Sequence, residues 1–498
     1  MKEKISKRRL LISAAVFTLF YVLMLMLVLV MIVINHPHGW TSYFKNRFTD
    51  AVLVCVCLFL LFAIIYYYYY FENKEFLSQP KNVILILSTI LMSLVVNYAF
   101  GRIVGDVYIR PAAMLALIFV FLLNRRQAIV LNFVFAFLMF VIDRNTNMME
   151  VLRTENQQYF SLMLTFVSGT VNIFIAGANK TRGGLMLTGI ISAVPSVIVI
   201  LLFAIPELTE TGWIRYVTLA GYGVAGSILS AMLALSLLPA FERIFNVLTV
   251  FRLSEITSAN APILKRLKTE APGTFNHSLI VAHLSEMCAV SIGENAELAR
   301  AAGYYHDVGK LKQPECFTEN QTDYNVHDEL TPELSADIIR SHAKDGYDFL
   351  MSARLPEEIA SVAIEHHGTL PIKYFYNKAL KLAGEELDMK DYSYFGPTPR
   401  TKIAAIVMIA DASEAAARAL SDRSAENVER IVRSIIEERM DLDQFSECNI
   451  TMKDLATIKE TIVAALSGVH HHRVKYPSIR FNRSRQTVPE NEKEGMSQ

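Results

Sequence analysis

Five histidines and two aspartates in the C-terminal half of this chain have the types and settings of metal ligands. His306 and Asp307 are adjacent in "AGYYHDVGKLKQP". His277 follows Pro272-Gly273-Thr274, and His342 closes "SADIIRSH". His366 and His367 are adjacent in "IEHHGT". Asp411 lies in the apolar run "IAAIVMIADASEAAARAL". A carboxylate in such a run needs a cation or a hydrogen-bond donor if it is buried. Taken singly, each residue has a plain alternative: a structural or surface histidine, or an aspartate paired with Arg418.

The set says more than its members. Imidazoles and carboxylates without cysteine suit manganese, iron or zinc, whereas structural zinc sites more often use cysteine. Seven ligands are too many for one ion and fit two, with Asp307 the natural bridge. Two divalent ions about 3.5–4 Å apart activate water and stabilise a transferring phosphoryl group, so the reaction class is phosphoester hydrolysis. Lys310 follows one helical turn after His306-Asp307. Residues four apart share a helix face, which would bring its ammonium to a phosphate in the same pocket.

The elements that carry these residues read as helices. Thr331-Pro332-Glu333 is a helix start, with threonine as cap and proline in the first turn. Leu355-Pro356-Glu357-Glu358 opens another, which Gly368 closes after the paired histidines. A long alanine-rich helix covers 401–420. No strand alternation of any length occurs, so residues 273–480 read as one all-helical domain. Residues 241–272 form a connecting segment punctuated by Pro262 and Pro272-Gly273. The polar tail over 481–498 reads as disordered.

The first half is a different kind of sequence. The chain has 498 residues, too many for one ordinary domain. Its 52% hydrophobic content is concentrated in residues 1–240. Apolar runs at 10–34, 51–71, 82–100, 111–124, 127–143, 160–178, 183–205 and 214–240 give about eight membrane spans. The fourth and fifth are short and joined at Asn124-Arg125-Arg126-Gln127 as a tight hairpin. Basic residues before the first span, Arg125-Arg126 and Lys180-Thr181-Arg182 fall on one side, and the acidic turn at 206–210 on the other. By the positive-inside rule both termini are cytoplasmic, in a multi-pass protein of the cell membrane. Tyr66 to Tyr70 sit where an aromatic belt belongs. Few ionisable residues lie deep in the spans, which argues against a transporter. The first run is too long for a signal-peptide core. A formal net charge of zero gives no case for a nucleic-acid polymer as partner. Five scattered cysteines give no disulfide framework.

The stretches "FNHS", "YYHDVGK", "FTENQ", "SADIIRSH", "EHHGT" and "MIADASEAAARAL" resemble the HD-domain phosphohydrolase superfamily. More narrowly, they resemble the PgpH-type seven-transmembrane receptors with an intracellular HD hydrolase. The resemblance covers the membrane half in layout and about 252–480 in motif. It implies an all-α architecture, a polytopic membrane domain followed by a cytosolic HD domain, that hydrolyses cyclic di-AMP to pApA. It implies two divalent ions, manganese or iron. His277, His306, Asp307 and Asp411 would hold one, and Asp307, His342, His366 and His367 the other. Asp307 and Lys310 would be the catalytic pair, Lys310 stabilising a phosphate oxygen while a hydroxide held between the ions attacks phosphorus. Three departures stand out. Asn276 stands before His277 where relatives often have another histidine, and is not counted as a ligand. Val308 replaces the usual isoleucine, a silent change. The loop from about Asn35 to Asp50 stands where relatives carry a large extracellular domain, which removes the obvious sensor.

Two other readings stay open. One is an HD enzyme for another nucleotide, such as cyclic di-GMP or guanosine tetraphosphate. Against cyclic di-GMP, His366-His367 lead into Gly-Thr-Leu-Pro-Ile-Lys, without the Gly-Tyr-Pro of the HD-GYP enzymes. The other is a catalytically silent membrane receptor that binds a nucleotide, which a missing ligand would favour. Oligomeric state is open, a homodimer included.

Overall fold

The computed structural model describes residues 7–34, 48–146, 159–177, 181–205, 208–321, 324–383 and 387–468. The short first loop (as far as residue 47), part of the acidic turn, Lys180 and the C-terminal tail lie outside the described residues. All regular elements among the described residues are helical, with one isolated bridge between Pro371 and Ser393. The expected all-α class holds.

The membrane half comprises α1 (Lys7–Ile34), α2 (Phe48–Glu72), α3 (Pro80–Val104), α4 (Met114–Leu122), α5 (Arg125–Asn145), α6 (Phe160–Ala176), α7 (Arg182–Ile191), α8 (Ala193–Ala204) and α9 (Leu208–Phe245). Among the described residues, six stretches are long and apolar enough to cross a membrane: α1, α2, α3, α5, the consecutive Arg182–Ala204, and Gly212–Phe245. Val107–Leu122 and Phe160–Ala176 are the two shorter apolar helices. Each of the expected apolar runs is therefore helical. Helix α4 is apolar all round because it is buried all round, with Met114 to Phe119 each inaccessible. Its tight junction with α5 is capped by Asn124, whose side chain accepts from Gln127 N at 2.9 Å.

Among the described residues, the buried charges Asp106, Arg110 and Asp143 of this half are ion-paired. Arg110 lies 2.5 Å from Asp143, and the Ser161 hydroxyl donates to the same carboxylate. Arg215 reaches Asp106 at 3.1 Å. Pairing is what keeps such charges tolerable away from water.

Two helices connect the halves, α10 (Val250–Ile256) and α11 (Pro262–Glu270). Helix α10 belongs to both sides. Phe251 packs in the membrane-half core, its ring 4.7 Å from Phe121, whereas Leu253 packs with Leu264, Tyr305 and Val308. Arg252 bonds the carbonyls of Glu242 and Val247 on one side and of Arg354 on the other.

The C-terminal half contains α12 (Pro272–Ile292), α13 (Ala296–Tyr305), α14 (Pro332–Ser352), α15 (Glu357–Glu365), α16 (Lys373–Ala383), α17 (Lys402–Arg418), α18 (Ala425–Asp441) and α19 (Met452–Gly468). Helix α17 is the centre. Ile403 to Ala410 are all buried, against Val281 and Leu284 of α12, Val362 of α15, Val428 and Val432 of α18 and Ile458 of α19. Thr331 and Thr401 cap α14 and α17 through their side chains, as their sequence positions suggest.

Glycine sets two close approaches. A Cβ on Gly303 of α13 would stand 2.5 Å from Ala282 Cα of α12. A Cβ on Gly309 would stand 1.9 Å from the His342 carbonyl oxygen. Gly309 belongs to the 3-10 turn Val308–Lys312 that follows His306-Asp307. The turn can press onto α14 only without a side chain there. Gly309→Ala must therefore push the two backbones apart. We expect a loss at or above the upper end of the about 1–3 kcal/mol typical of overpacking. It would be read as a lower melting temperature of the full chain in detergent; an unchanged melting temperature would contradict this packing.

Candidate metal centre

Five of the predicted ligands sit at or near the end of a helix, whereas His342 and Asp411 lie along one. His277 lies in the second turn of α12, and His306 caps the C-terminus of α13. His342 lies midway along α14. His366 is the C-cap of α15, with His367 next, and Gly368 turns the chain away with φ +51°. Asp411 stands one residue past the buried run of α17. All seven converge, and their ligand atoms form two clusters that could hold metal ions. One comprises Asp307, His342, His366 and His367, the other His277, His306 and Asp411.

Asp307 joins the clusters. Its side chain is 1% exposed, and its two oxygens face opposite ways. Oδ2 lies 3.3 Å from His306 Nε2 and 3.6 Å from His277 Nε2. Oδ1 lies 3.3 Å from His342 Nε2 and 3.6 Å from His366 Nε2. Asp411 Oδ1 lies 2.9 Å from His277 Nε2 and 3.8 Å from His306 Nε2, and its Oδ2 is 3.9 Å from His367 Nδ1.

Backbone geometry decides which nitrogen each imidazole presents. Nδ1 of His306, His342 and His366 donates to the carbonyl three residues earlier, of Gly303, Ile339 and Ala363, at 2.8, 2.5 and 2.9 Å. With Nδ1 protonated, the Nε2 lone pair is left for the pocket. His277 is set differently, its Nδ1 2.5 Å from Glu414 Oε2.

These residues fit metal ions. Asp307 Oδ1 and His306 Nε2 are buried and make no hydrogen bond among the described residues. Buried polar atoms without partners are costly unless a cation meets them. The shorter separations, 2.9–3.3 Å, also agree. Ligand atoms at about 2.1 Å from a common ion stand about 3.0–3.4 Å apart for octahedral to tetrahedral angles.

The electrostatics show the same demand for positive charge. Burial works against the charged forms of both aspartates. The His306 and Lys310 charges beside Asp307, and the bond of Asp411 to His277 with the His306 charge close by, nevertheless hold both carboxyls well below the usual range. Burial likewise disfavours the His306 imidazolium, but the Asp307 carboxylate outweighs it and raises the pKa to about 10. Burial, with His366 and other histidines close by, keeps His367 neutral. Ions entering the site would displace protons from the cluster that holds His306 and meet the neutral imidazoles of His366 and His367 in the other.

Lys310 reaches the site by another route than the sequence suggests. The α-helix stops at Tyr305, so Lys310 is brought back by the 3-10 turn, as the i+3 neighbour of Asp307. Its Nζ lies 2.7 Å from Asp307 Oδ2 and 2.8 Å from Glu319 Oε1. The two carboxylates outweigh burial and raise its pKa, so it stays charged.

Both halves of the chain are similar to known proteins. A profile described as "7TM receptor with intracellular HD hydrolase" matches residues 48–249, and one described as "HD domain" matches residues 274–416. The cyclic-di-AMP phosphodiesterase PgpH of Bacillus subtilis is 35% identical over 435 residues, 86% of this chain and 60% of that protein. The protein of the same name from Listeria monocytogenes is 33% identical over 430 residues, 84% of this chain and 58% of that one. This chain thus spans about three-fifths of the length of these relatives. A crystal structure of the L. monocytogenes PgpH HD domain is 44% identical, covering 43% of this chain and 100% of that one, with a TM-score of 0.41. A second, in complex with cyclic-di-AMP, has a TM-score of 0.42 over the same coverage.

Residues 48–249 thus match the 7TM receptors with an intracellular HD hydrolase, and residues 274–416 match the HD domain. The seven apolar helical segments from α2 to α9, counting Arg182–Ala204 as one, fall inside the first matched region.

Sequence reading missed several groups around the centre of this HD domain. Glu414 is buried, supports His277 and has Arg418 at 3.9 Å; Arg418 is not Asp411's partner. Its signal was the spacing Asp411-x-x-Glu414, which puts both carboxylates on one face of α17. Glu319 lies in the "FTENQ" stretch, which carried no assigned role, and it holds Lys310. Tyr394 stacks on His367 with ring centroids 4.2 Å apart, a long-range contact with no sequence signal. The cleft over the centre has about 330 Å³, and a larger one of about 690 Å³ opens behind Glu414. The chemistry belongs to the smaller, which the histidines line. Glu414→Gln keeps the shape but removes the carboxylate behind His277. We expect it to weaken metal binding about 10–100-fold, measured by competition with a chelator; unchanged affinity would exclude a supporting role.

Proposed function

We propose that this protein is a metal-dependent phosphodiesterase that hydrolyses cyclic di-AMP to linear pApA at the cytoplasmic face of the cell membrane. The observation that carries the reading is the Asp307 carboxylate, with one oxygen toward His277 and His306 and the other toward His342 and His366. Such an arrangement suits two ions that share one carboxylate. His277, His306, Asp307 and Asp411 would hold one, and Asp307, His342, His366 and His367 the other. A donor set of nitrogen and oxygen without sulfur suits manganese or iron.

A bound pair of divalent ions supplies Lewis-acid stabilisation of the phosphoryl group and water of lowered pKa. The protein's residues do the rest. Asp307 holds the two halves of the centre in register. The Nδ1–carbonyl bonds keep three imidazoles aimed inward. Glu414 orients His277. Lys310, fixed between Asp307 and Glu319, offers a charged ammonium to a phosphate oxygen. The adenine preference comes from the relatives' names, both cyclic-di-AMP phosphodiesterases. The positive-inside rule favours cytoplasmic termini, the bilayer being the partner of the apolar helices.

The test uses the full chain in detergent, loaded with manganese and offered cyclic di-AMP, cyclic di-GMP and guanosine tetraphosphate separately, with chromatography of products. We expect conversion of cyclic di-AMP alone to pApA. Asp307→Ala should lose more than the about hundredfold that outer-shell changes cost. Turnover of another nucleotide instead would overturn the substrate assignment, and near-normal turnover by Asp307→Ala would overturn the shared-carboxylate mechanism.

A further inference from the structure

A cyclic dinucleotide carries two phosphodiesters in one ring, and reaction at the metal centre uses only one. The other still loses water when the ring enters a cleft, and an anion so placed needs a cation. Three cationic side chains besides the histidines line the cleft: Lys310, Arg418 and Arg439. Lys310 is already held by two carboxylates. Arg418 is 46% exposed, leans toward Glu414 and also lines the neighbouring cleft.

Arg439 is built differently. It stands in the last turn of α18, with its side chain only 13% exposed. A guanidinium has five N–H donors. Here Nη1 bonds the carboxylate of the adjacent Glu438, which Lys373 also takes, while Nε is buried without a hydrogen-bond partner. Its position is fixed relative to the paired histidines. The Arg439 carbonyl accepts from Gln444 N at 2.9 Å. The buried Gln444 side chain then accepts from Thr369 N and donates to Thr369 Oγ1, each at 2.9 Å, two residues beyond His367. A mostly buried guanidinium that faces a cleft with most of its donors unspent, and is braced against the metal-site loop, suits a fixed anion.

We infer that Arg439 binds the second, non-scissile phosphodiester of the substrate, and so selects a two-phosphate ring over a simple diester. This rests on the cyclic di-AMP reading above. Arg and phosphate meet through charge-assisted, forked hydrogen bonds that lysine reproduces only in part.

The experiment compares wild type, Arg439→Gln and Arg439→Lys as full chains with manganese, on cyclic di-AMP and on bis(4-nitrophenyl) phosphate, which has a single diester. Metal content and melting temperature are measured for each. For Arg439→Gln we expect KM for cyclic di-AMP to rise about 10–100-fold, with kcat and the rate on the simple diester nearly unchanged. Arg439→Lys should lie between, and it carries the same test if the glutamine variant does not fold. Parallel loss on both substrates, or an unchanged KM, would overturn the inference. A wild type that hydrolyses the simple diester but not cyclic di-AMP would instead overturn the substrate reading, and this inference with it.

Discussion

The C-terminal half is organised around one buried carboxylate, held on one oxygen by the Lys310 ammonium and left on the other without a hydrogen-bond donor among the described residues. Asp307 is buried, and the imidazole nitrogens that surround it are held ready to coordinate rather than to donate. An arrangement of that kind is unfavourable without positive charge at its centre. Protons on His306 and the ammonium of Lys310 meet part of the demand, and divalent ions would meet it fully. The fold tolerates the centre because hydrophobic packing elsewhere holds the helices that carry it. Helix α17, buried along Ile403–Ala410, is the post against which α12, α15, α18 and α19 pack.

The close approaches follow from that requirement. His306-Asp307 must reach the middle of the site, so the chain leaves α13 at Tyr305 and turns in a 3-10 coil against α14. Gly309 makes the approach sterically possible, and Gly303 brings α13 onto α12. The same region meets the connection to the membrane half. The Tyr305 hydroxyl donates to the Ile256 carbonyl at 2.6 Å, at the end of α10, while Phe251 of α10 packs in the membrane-half core. The residue before His306 is thereby bonded to the helix that joins the two halves.

Much of this was legible in the sequence, for physical reasons. The apolar runs are long, and membrane-spanning length is a strong constraint. The seven candidate ligands were visible because residue types that rarely sit in apolar or helix-ending contexts occurred together. What was hidden depends on tertiary contacts. Glu414, Glu319 and Tyr394 are ordinary residues until folding sets them behind His277, Lys310 and His367. The Lys310 expectation assumed a continuous α-helix; the helix stops first, and the lysine arrives through a tighter turn. In the membrane half, pairing of Arg110 with Asp143 joins residues 33 apart in sequence, which no local pattern could reveal.

The central claim is that Asp307 holds two ions at once. Low-temperature electron paramagnetic resonance of the full chain, titrated with manganese, tests it directly. Two ions about 3.5–4 Å apart and sharing a carboxylate should give an exchange-coupled spectrum that appears as the second ion binds and vanishes in Asp307→Ala. A spectrum of isolated manganese at every loading would contradict the account.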